Sequence, residues 1–260
     1  MQQRKTKPDN PLSLLATLEL RSIALLLDID GTLLDIAPRP QDVRVPDDLP
    51  DILSRLAHGL DGALAFVSGR TLSDIDHLFA PRRFAAIGGH GAEMRIAPDG
   101  PVQHSHVKPI DDALRRILLE LHARDAGVIV ENKTYSVAVH YRLAPQRGEE
   151  IAAAVARACA GRDDLEILPG KAVIEIKLRG FDKGTALRRL MNRRPFRGRR
   201  PIFIGDDVTD DAAFAVLPEL SGIGLSVGAP ARGNSLNFEA PRDVRLWLAQ
   251  LAAKSAMVEQ

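Results

Sequence analysis

The chain has 260 residues, 45% of them hydrophobic, which is enough to bury one large core or two modest ones and predicts a globule of one or two domains. Its 35 basic residues offset 34 acidic ones, a net charge of +1 that supplies no long-range basic field for nucleic acid and makes small molecules the expected partners. One cysteine, Cys159, excludes a disulfide within the chain, and its helix-like surroundings predict a small packed residue rather than a reactive thiol.

Met1 to Pro11 is polar, lacks an apolar signal core and reads as a frayed tail. The most apolar run, Ile23 to Leu34, is short and interrupted by Asp28 and Asp30, so it cannot span a membrane. A cytoplasmic location is the default expectation, and the oligomeric state is left open.

Ile23-Ala-Leu-Leu-Leu-Asp28 is apolar on both alternating faces, as expected for a central strand of a parallel sheet covered on two sides. Ala63 to Val67 and Pro201 to Ile204 repeat the pattern. Each run is followed by small or polar residues and then by a helix-like segment, the alternation of an α/β, doubly wound parallel sheet. Ligands of such sheets gather at the carboxyl ends of the strands.

Within 108–178 the pattern changes to a helix, two strands, a helix and two strands, which predicts a smaller inserted α+β domain. Asp111 to Arg124 and Arg147 to Ala160 carry helical spacing. Tyr135 to Arg142 alternates, with Val137 and Val139 on one face and Ser136, Ala138, His140 and Arg142 on the other. Val128 to Glu131 pairs with it through Asn132-Lys133-Thr134, and Pro169-Gly170 marks a second hairpin turn. Pro241 to Ala253 closes the chain as an amphipathic helix.

Asp28-Ile29-Asp30-Gly31-Thr32 sets two carboxylates two residues apart at a buried strand end, an arrangement that calls for a cation or a proton between them. Gly205-Asp206-Asp207-Val208-Thr209-Asp210-Asp211 follows another buried strand with more hard oxygen donors than a helix start requires. Magnesium suits such a set better than zinc, which favours Cys and His. Ser68, with Gly69, and Lys183 supply groups for holding a phosphate.

In chain order, Asp28-Ile-Asp-Gly-Thr, Ser68-Gly-Arg, Lys183-Gly and Gly205-Asp-Asp-Val-Thr-Asp resemble the four motifs of the haloacid dehalogenase superfamily of phosphatases. Gly89-His90-Gly91-Ala92-Glu93, Glu131-Asn132-Lys133, His140-Tyr141-Arg142 and Gly170-Lys171-Ala172-Val173-Ile174-Glu175 are similar to one branch, the trehalose-6-phosphate phosphatases. The resemblance implies a catalytic core at 1–107 and 179–260 with an inserted cap at 108–178. It implies hydrolysis of trehalose 6-phosphate, the last step of trehalose biosynthesis.

By the same resemblance Asp28 is the nucleophile and Asp30 the acid and base. Magnesium is held by Asp28, Asp206 and the main-chain carbonyl of Asp30, with Asp207 and Asp210 orienting its waters or Lys183. Ser68, Gly69 and Lys183 hold the phosphate. His90, Gly91, Glu131, Lys133, His140, Arg142 and Glu175 read the sugar. Another sugar phosphate, such as sucrose 6-phosphate or mannosyl-3-phosphoglycerate, is the alternative substrate, and a non-catalytic sugar-phosphate sensor is the alternative class. One departure stands out: the fourth motif commonly continues Glu-Asp-Ala-Phe, where this chain has Asp211-Ala212-Ala213-Phe214.

Overall fold

The computed structural model describes residues 10–106, 108–229 and 236–258. Residues 1–9 of the expected tail lie outside them. Pro11–Thr17 form helix α1, capped by the Asn10 side chain, which accepts a hydrogen bond from Ser13 N at 2.8 Å. Asn10 and Pro11, read from sequence as part of the tail, instead open this helix.

The core opens with strand β1 (Ile23–Leu27), every residue of which is buried, followed by α2 (Leu49–Gly59), β2 (Leu64–Val67), α3 (Leu72–Leu78) and β3 (Ala85–Gly88). Two short strands, β4 (Glu93–Arg95) and β5 (Gln103–His104), then lead to the insertion. Within the insertion the order is α4 (Asp112–Arg124), β6 (Ile129–Asn132), β7 (Ser136–His140), α5 (Gly148–Ala158), β8 (Leu165–Gly170) and β9 (Val173–Leu178). The chain returns through α6 (Lys183–Met191), β10 (Arg200–Gly205), α7 (Asp211–Val216), β11 (Ile223–Val227), β12 (Asn237–Phe238) and α8 (Pro241–Val258).

The large sheet has the order β12-β11-β10-β1-β2-β3-β4-β5, parallel except for β4 and β5. The reading of these apolar runs as central strands holds because both faces are covered: α2 packs with α8, and α6 with α7. Phe66 stacks on Phe79 within the same core, and Phe84 meets both rings edge-on. Trp247 of α8 donates from Nε1 to Pro11 O at 2.7 Å and so pins α1 to the core.

Register decides where the chemistry sits. Leu27 pairs with both Ile204 and Phe66, so three strands end level and deliver Asp28, Ser68 and Asp206 to one edge of the sheet. This is the carboxyl edge, where ligands bind in open α/β sheets.

The second sheet is antiparallel, in the order β6-β7-β9-β8. Leu114, Leu118 and Leu121 of α4 and Ile151 and Val155 of α5 pack on its Val137, Val139, Ile174 and Ile176 face, forming a hydrophobic cluster separate from the main core. Helix spacing of three and four in α4, against period two in the strands, is what brings these residues together. The opposite face carries Glu131, Ala138 and Glu175 abreast, since Ala138 pairs with both carboxylates. Ser136 and Ala138 on that face are buried too, because it looks onto the core rather than into solvent.

Candidate active site

Asp28, the first residue after β1, sits 5% exposed and accepts a hydrogen bond from Lys183 Nζ at 2.8 Å. Lys183 begins α6, capped by Asp182, and its ammonium also meets Asp210 Oδ1 at 2.6 Å. Asp210 Oδ2 in turn accepts from the amides of Asp206 and Asp207 at 3.0 and 3.1 Å. Both oxygens of Asp210 are thereby engaged, one by Lys183 and the other by two backbone amides. A Cβ at Gly31, where φ is +83°, would overlap the Asp206 carboxylate, so the turn after β1 needs glycine for conformation and for space.

Oxygens of Asp28, Asp206 and Asp210 lie within 4.8 Å of one another. Burial, together with the neighbouring carboxylates Asp210 and Asp206, pushes Asp28 well above the usual carboxylate range despite Lys183. Burial likewise raises Asp206 to about 6, although Lys171 opposes it. Lys183 is held firmly protonated, because Asp210 and Asp28 outweigh the burial that would neutralise it. Two lysines, Lys183 and Lys171, among three crowded carboxylates still leave excess negative charge on hard oxygens, and this donor set fits a divalent metal.

Ser68 follows β2 and is buried, its Oγ accepting from Arg70 N at 3.2 Å. Arg70 also forks onto Asp30, donating from Nε to Oδ2 at 2.6 Å and from Nη2 to Oδ1 at 2.7 Å. The Asp30 side chain remains about a third exposed, facing the cleft between the two sheets.

Across that cleft His90, in a left-handed conformation at φ 56°, reaches Glu175 with Nε2 to Oε2 at 2.8 Å. Any side chain at Gly69 would strike the His90 ring. Burial alone would raise Glu175, but His90 and Lys133 hold it well below the usual carboxylate range. Glu131 is lowered too: its burial is outweighed by a hydrogen bond from His140 at 3.1 Å and by Lys133. Glu175 Oε1 is a buried oxygen with no hydrogen-bond partner among the described residues, Lys133 Nζ lying 3.8 Å away.

Thirteen of the sequence-predicted site residues line this one cleft: Asp28, Asp30, Ser68, Gly69, His90, Glu131, Lys133, His140, Arg142, Glu175, Lys183, Asp206 and Asp207. Asp210 lies behind it. Gly91 does not line it either; a Cβ there would come within 2.5 Å of Asp182 O, so Gly91 serves the close approach of the returning chain. Arg142 is engaged by two backbone carbonyls, Ala37 at 2.6 Å and Lys171 at 2.7 Å, and so clips the core loop to the second sheet.

Three contributors were not singled out from sequence. Arg70 and Lys171 stand inside quoted motifs without a role of their own, yet Arg70 holds Asp30 and Lys171 Nζ reaches Asp206 Oδ2 at 3.1 Å. Thr32 Oγ1 donates to Asp206 Oδ1 at 3.3 Å, a partner 174 residues away that no local pattern announces. As for the unusual Ala212, its carbonyl faces Gly184, where a Cβ would overlap it, so α6 and α7 meet by backbone contact at that point.

The trehalose-phosphatase family model matches residues 26–240, which contain all of these groups. A Sinorhizobium fredii protein named "Probable trehalose-phosphate phosphatase" is 43% identical over 247 residues, 92% of each chain. The Escherichia coli trehalose-6-phosphate phosphatase is 39% identical, over 86% of this chain and 85% of its own. The Candida albicans trehalose-6-phosphate phosphatase C-terminal domain superposes with a TM-score of 0.79 at 22% identity, covering 94% of this chain and 97% of that one. The fold also matches a Bacillus subtilis haloacid dehalogenase-like hydrolase at a TM-score of 0.60 and 16% identity, over 86% and 98% of the two chains. With the carboxylate cluster, the Ser68-Gly69-Arg70 turn and the facing polar sheet all inside the matched region, the chain belongs to the trehalose-phosphatase family.

Proposed function

We propose that this protein hydrolyses trehalose 6-phosphate to trehalose and inorganic phosphate through an aspartyl-phosphate on Asp28. The observation that carries the reading is the single cleft in which the Asp28, Lys183 and Asp206 cluster faces Glu131, Lys133 and Glu175 of the opposing sheet. Phosphate chemistry needs the first set, and sugar hydroxyls need the paired donors and acceptors of the second.

A carboxylate oxygen of Asp28 attacks phosphorus, and the bond from phosphorus to the sugar oxygen breaks as Asp30 gives that oxygen its proton. Asp30, now anionic, takes a proton from water as the water oxygen attacks the acyl phosphate, which releases phosphate and restores Asp28. Ser68, the Gly69 backbone and Lys183 hold the nonbridging oxygens. Magnesium, held by Asp28, Asp206 and the Asp30 carbonyl, would supply the positive charge that lets two anions meet.

We assign 1–107 and 179–260 to the catalytic core and 108–178 to a cap that selects the sugar. The cleft has a volume of ≈ 170 Å³, below the ~300 Å³ at which small-molecule sites usually begin. His90–Glu175, Lys133–Gly69 and Arg142–Ala37 bonds cross it, which supports reading this arrangement as a closed form from which the cap lifts to admit substrate. Phosphate release from a panel of sugar phosphates, with and without magnesium, tests the assignment. Magnesium-dependent turnover that favours trehalose 6-phosphate is the expected result; a preference for sucrose 6-phosphate, or no turnover at all, overturns it.

A further inference from the structure

At the end of the large sheet opposite Asp28, the loop between α6 and β10 and the first residue of β10 together carry five arginines in eight residues, Arg193, Arg194, Arg197, Arg199 and Arg200. This density is local, since the whole chain has a net charge of only +1. Arg194, Arg197 and Arg199 line a groove of ≈ 540 Å³ together with Asp61, Pro195 and Gly198. The volume falls within the range of small-molecule sites.

The loop is held in place independently of its charges. Phe196 is fully buried in the core, and Arg197 N and Arg199 N donate to Arg193 O and Phe196 O at 2.8 and 3.1 Å. Pro195 packs against the turn after α2, where a Cβ at Gly62 would lie 3.4 Å from Pro195 Cγ. Arg199 is anchored at the groove wall by Ile23 O at 3.3 Å and Asp61 Oδ2 at 3.4 Å.

Arg194 and Arg197, by contrast, have neither a carboxylate nor a carbonyl partner for their guanidinium groups among the described residues. Asp61 is the one acidic side chain in the groove wall and is already shared with Arg199. The loop backbone thus holds several cations around one concavity, where an anion would meet them together. Guanidinium forks match phosphate oxygens in pairs.

We propose that this groove binds a small anion carrying two or more phosphate groups, with Arg194 and Arg197 as its forked donors and Arg199 as the fixed cation of the wall. Six residues of β10 separate it from the carboxyl edge of the sheet, roughly 20 Å at the rise of a strand, so its ligand would not compete with substrate.

Calorimetric titration of the full chain with inorganic triphosphate, in metal-free buffer and with orthophosphate as the control anion, tests this. One equivalent should bind the wild-type protein, more tightly than orthophosphate. Affinity should fall by about a hundredfold in the Arg194→Ala, Arg197→Ala double variant, roughly tenfold for each charged fork removed. An Arg194→Lys, Arg197→Lys pair should lose more than about tenfold, because lysine keeps the charge without the fork. Melting temperatures should match the wild type, and Arg197→Ala alone serves if the double variant melts early. Absence of binding, equal affinity in all variants, or full retention by the lysine pair would each overturn the proposal. So would displacement of triphosphate by duplex oligonucleotide at equal phosphate concentration.

Discussion

Arg70 grips Asp30 with two parallel hydrogen bonds, Nε to Oδ2 and Nη2 to Oδ1, so the group assigned to proton transfer is already oriented before substrate arrives. A forked arginine fixes a carboxylate in plane as well as in position. Arg70→Lys keeps the charge and loses the fork. It should lower kcat roughly tenfold or more with little change in KM, and equally for trehalose 6-phosphate and nitrophenyl phosphate, since both need the same acid. A change confined to KM would remove the positioning role.

Asp28→Asn should fold normally, form no acid-labile phosphoenzyme and lose more than about a thousandfold in kcat. Asp28 is raised by burial and by its acidic neighbours, so its charged form costs stability once pH rises above the unfolded value of 3.8. Without divalent cation the asparagine variant should therefore melt at or above the wild-type temperature at pH 7. A markedly lower melting temperature would mean that the bond from Lys183 outweighs the crowding.

Magnesium should stabilise the wild-type protein by ~2.7 kcal/mol at a hundred times its dissociation constant, a shift read in a thermal melt without any substrate. Asp206→Asn should abolish most of that shift. If the variant responds to magnesium as the wild type does, Asp206 is not a ligand and the metal assignment fails.

Glu175 offers a test in pH as well as in specificity. Its folded value lies below the ordinary 4.5, so its stabilising bonds are fully present above that pH and are lost as pH falls through the depressed folded value. Between roughly pH 5 and 2 the wild-type melting temperature should fall more steeply than that of Glu175→Gln, which cannot titrate there. Glu175→Ala should depress turnover of trehalose 6-phosphate by about a hundredfold and leave nitrophenyl phosphate hydrolysis within about threefold. Equal losses on both substrates would assign Glu175 to folding rather than to sugar recognition.

Apolar runs ending in acid made β1 and β10 readable from sequence, because a strand buried on both faces admits little else. Period two likewise put Ser136, Ala138 and His140 on one face before any pairing was known. What stayed hidden is the set of bonds made across the chain. Nothing near Arg142 announces that its guanidinium will seek Ala37 O, nor does the turn containing Lys171 point to Asp206. Local sequence carries periodicity and turn chemistry, whereas these contacts depend on how the two sheets face each other. Arg70 was obscured differently: beside Ser68 and Gly69 it reads as part of a phosphate loop, and only its distance to Asp30 reveals the other duty.

The level ending of β1, β2 and β10 also sets an order of events during synthesis. Lys183 lies 155 residues beyond Asp28, and Thr32 bonds a partner 174 residues further on. Contacts so distant along the chain form late, and β10 must insert beside β1 before Asp206 can meet Thr32. A nascent chain that has emerged only as far as α5 therefore holds Asp28 but neither the lysine that grips it nor the second acidic cluster. Until the last third of the chain is made, β1 exposes an unpaired apolar edge, and that edge, rather than premature catalysis, is the hazard the growing polypeptide presents to its surroundings.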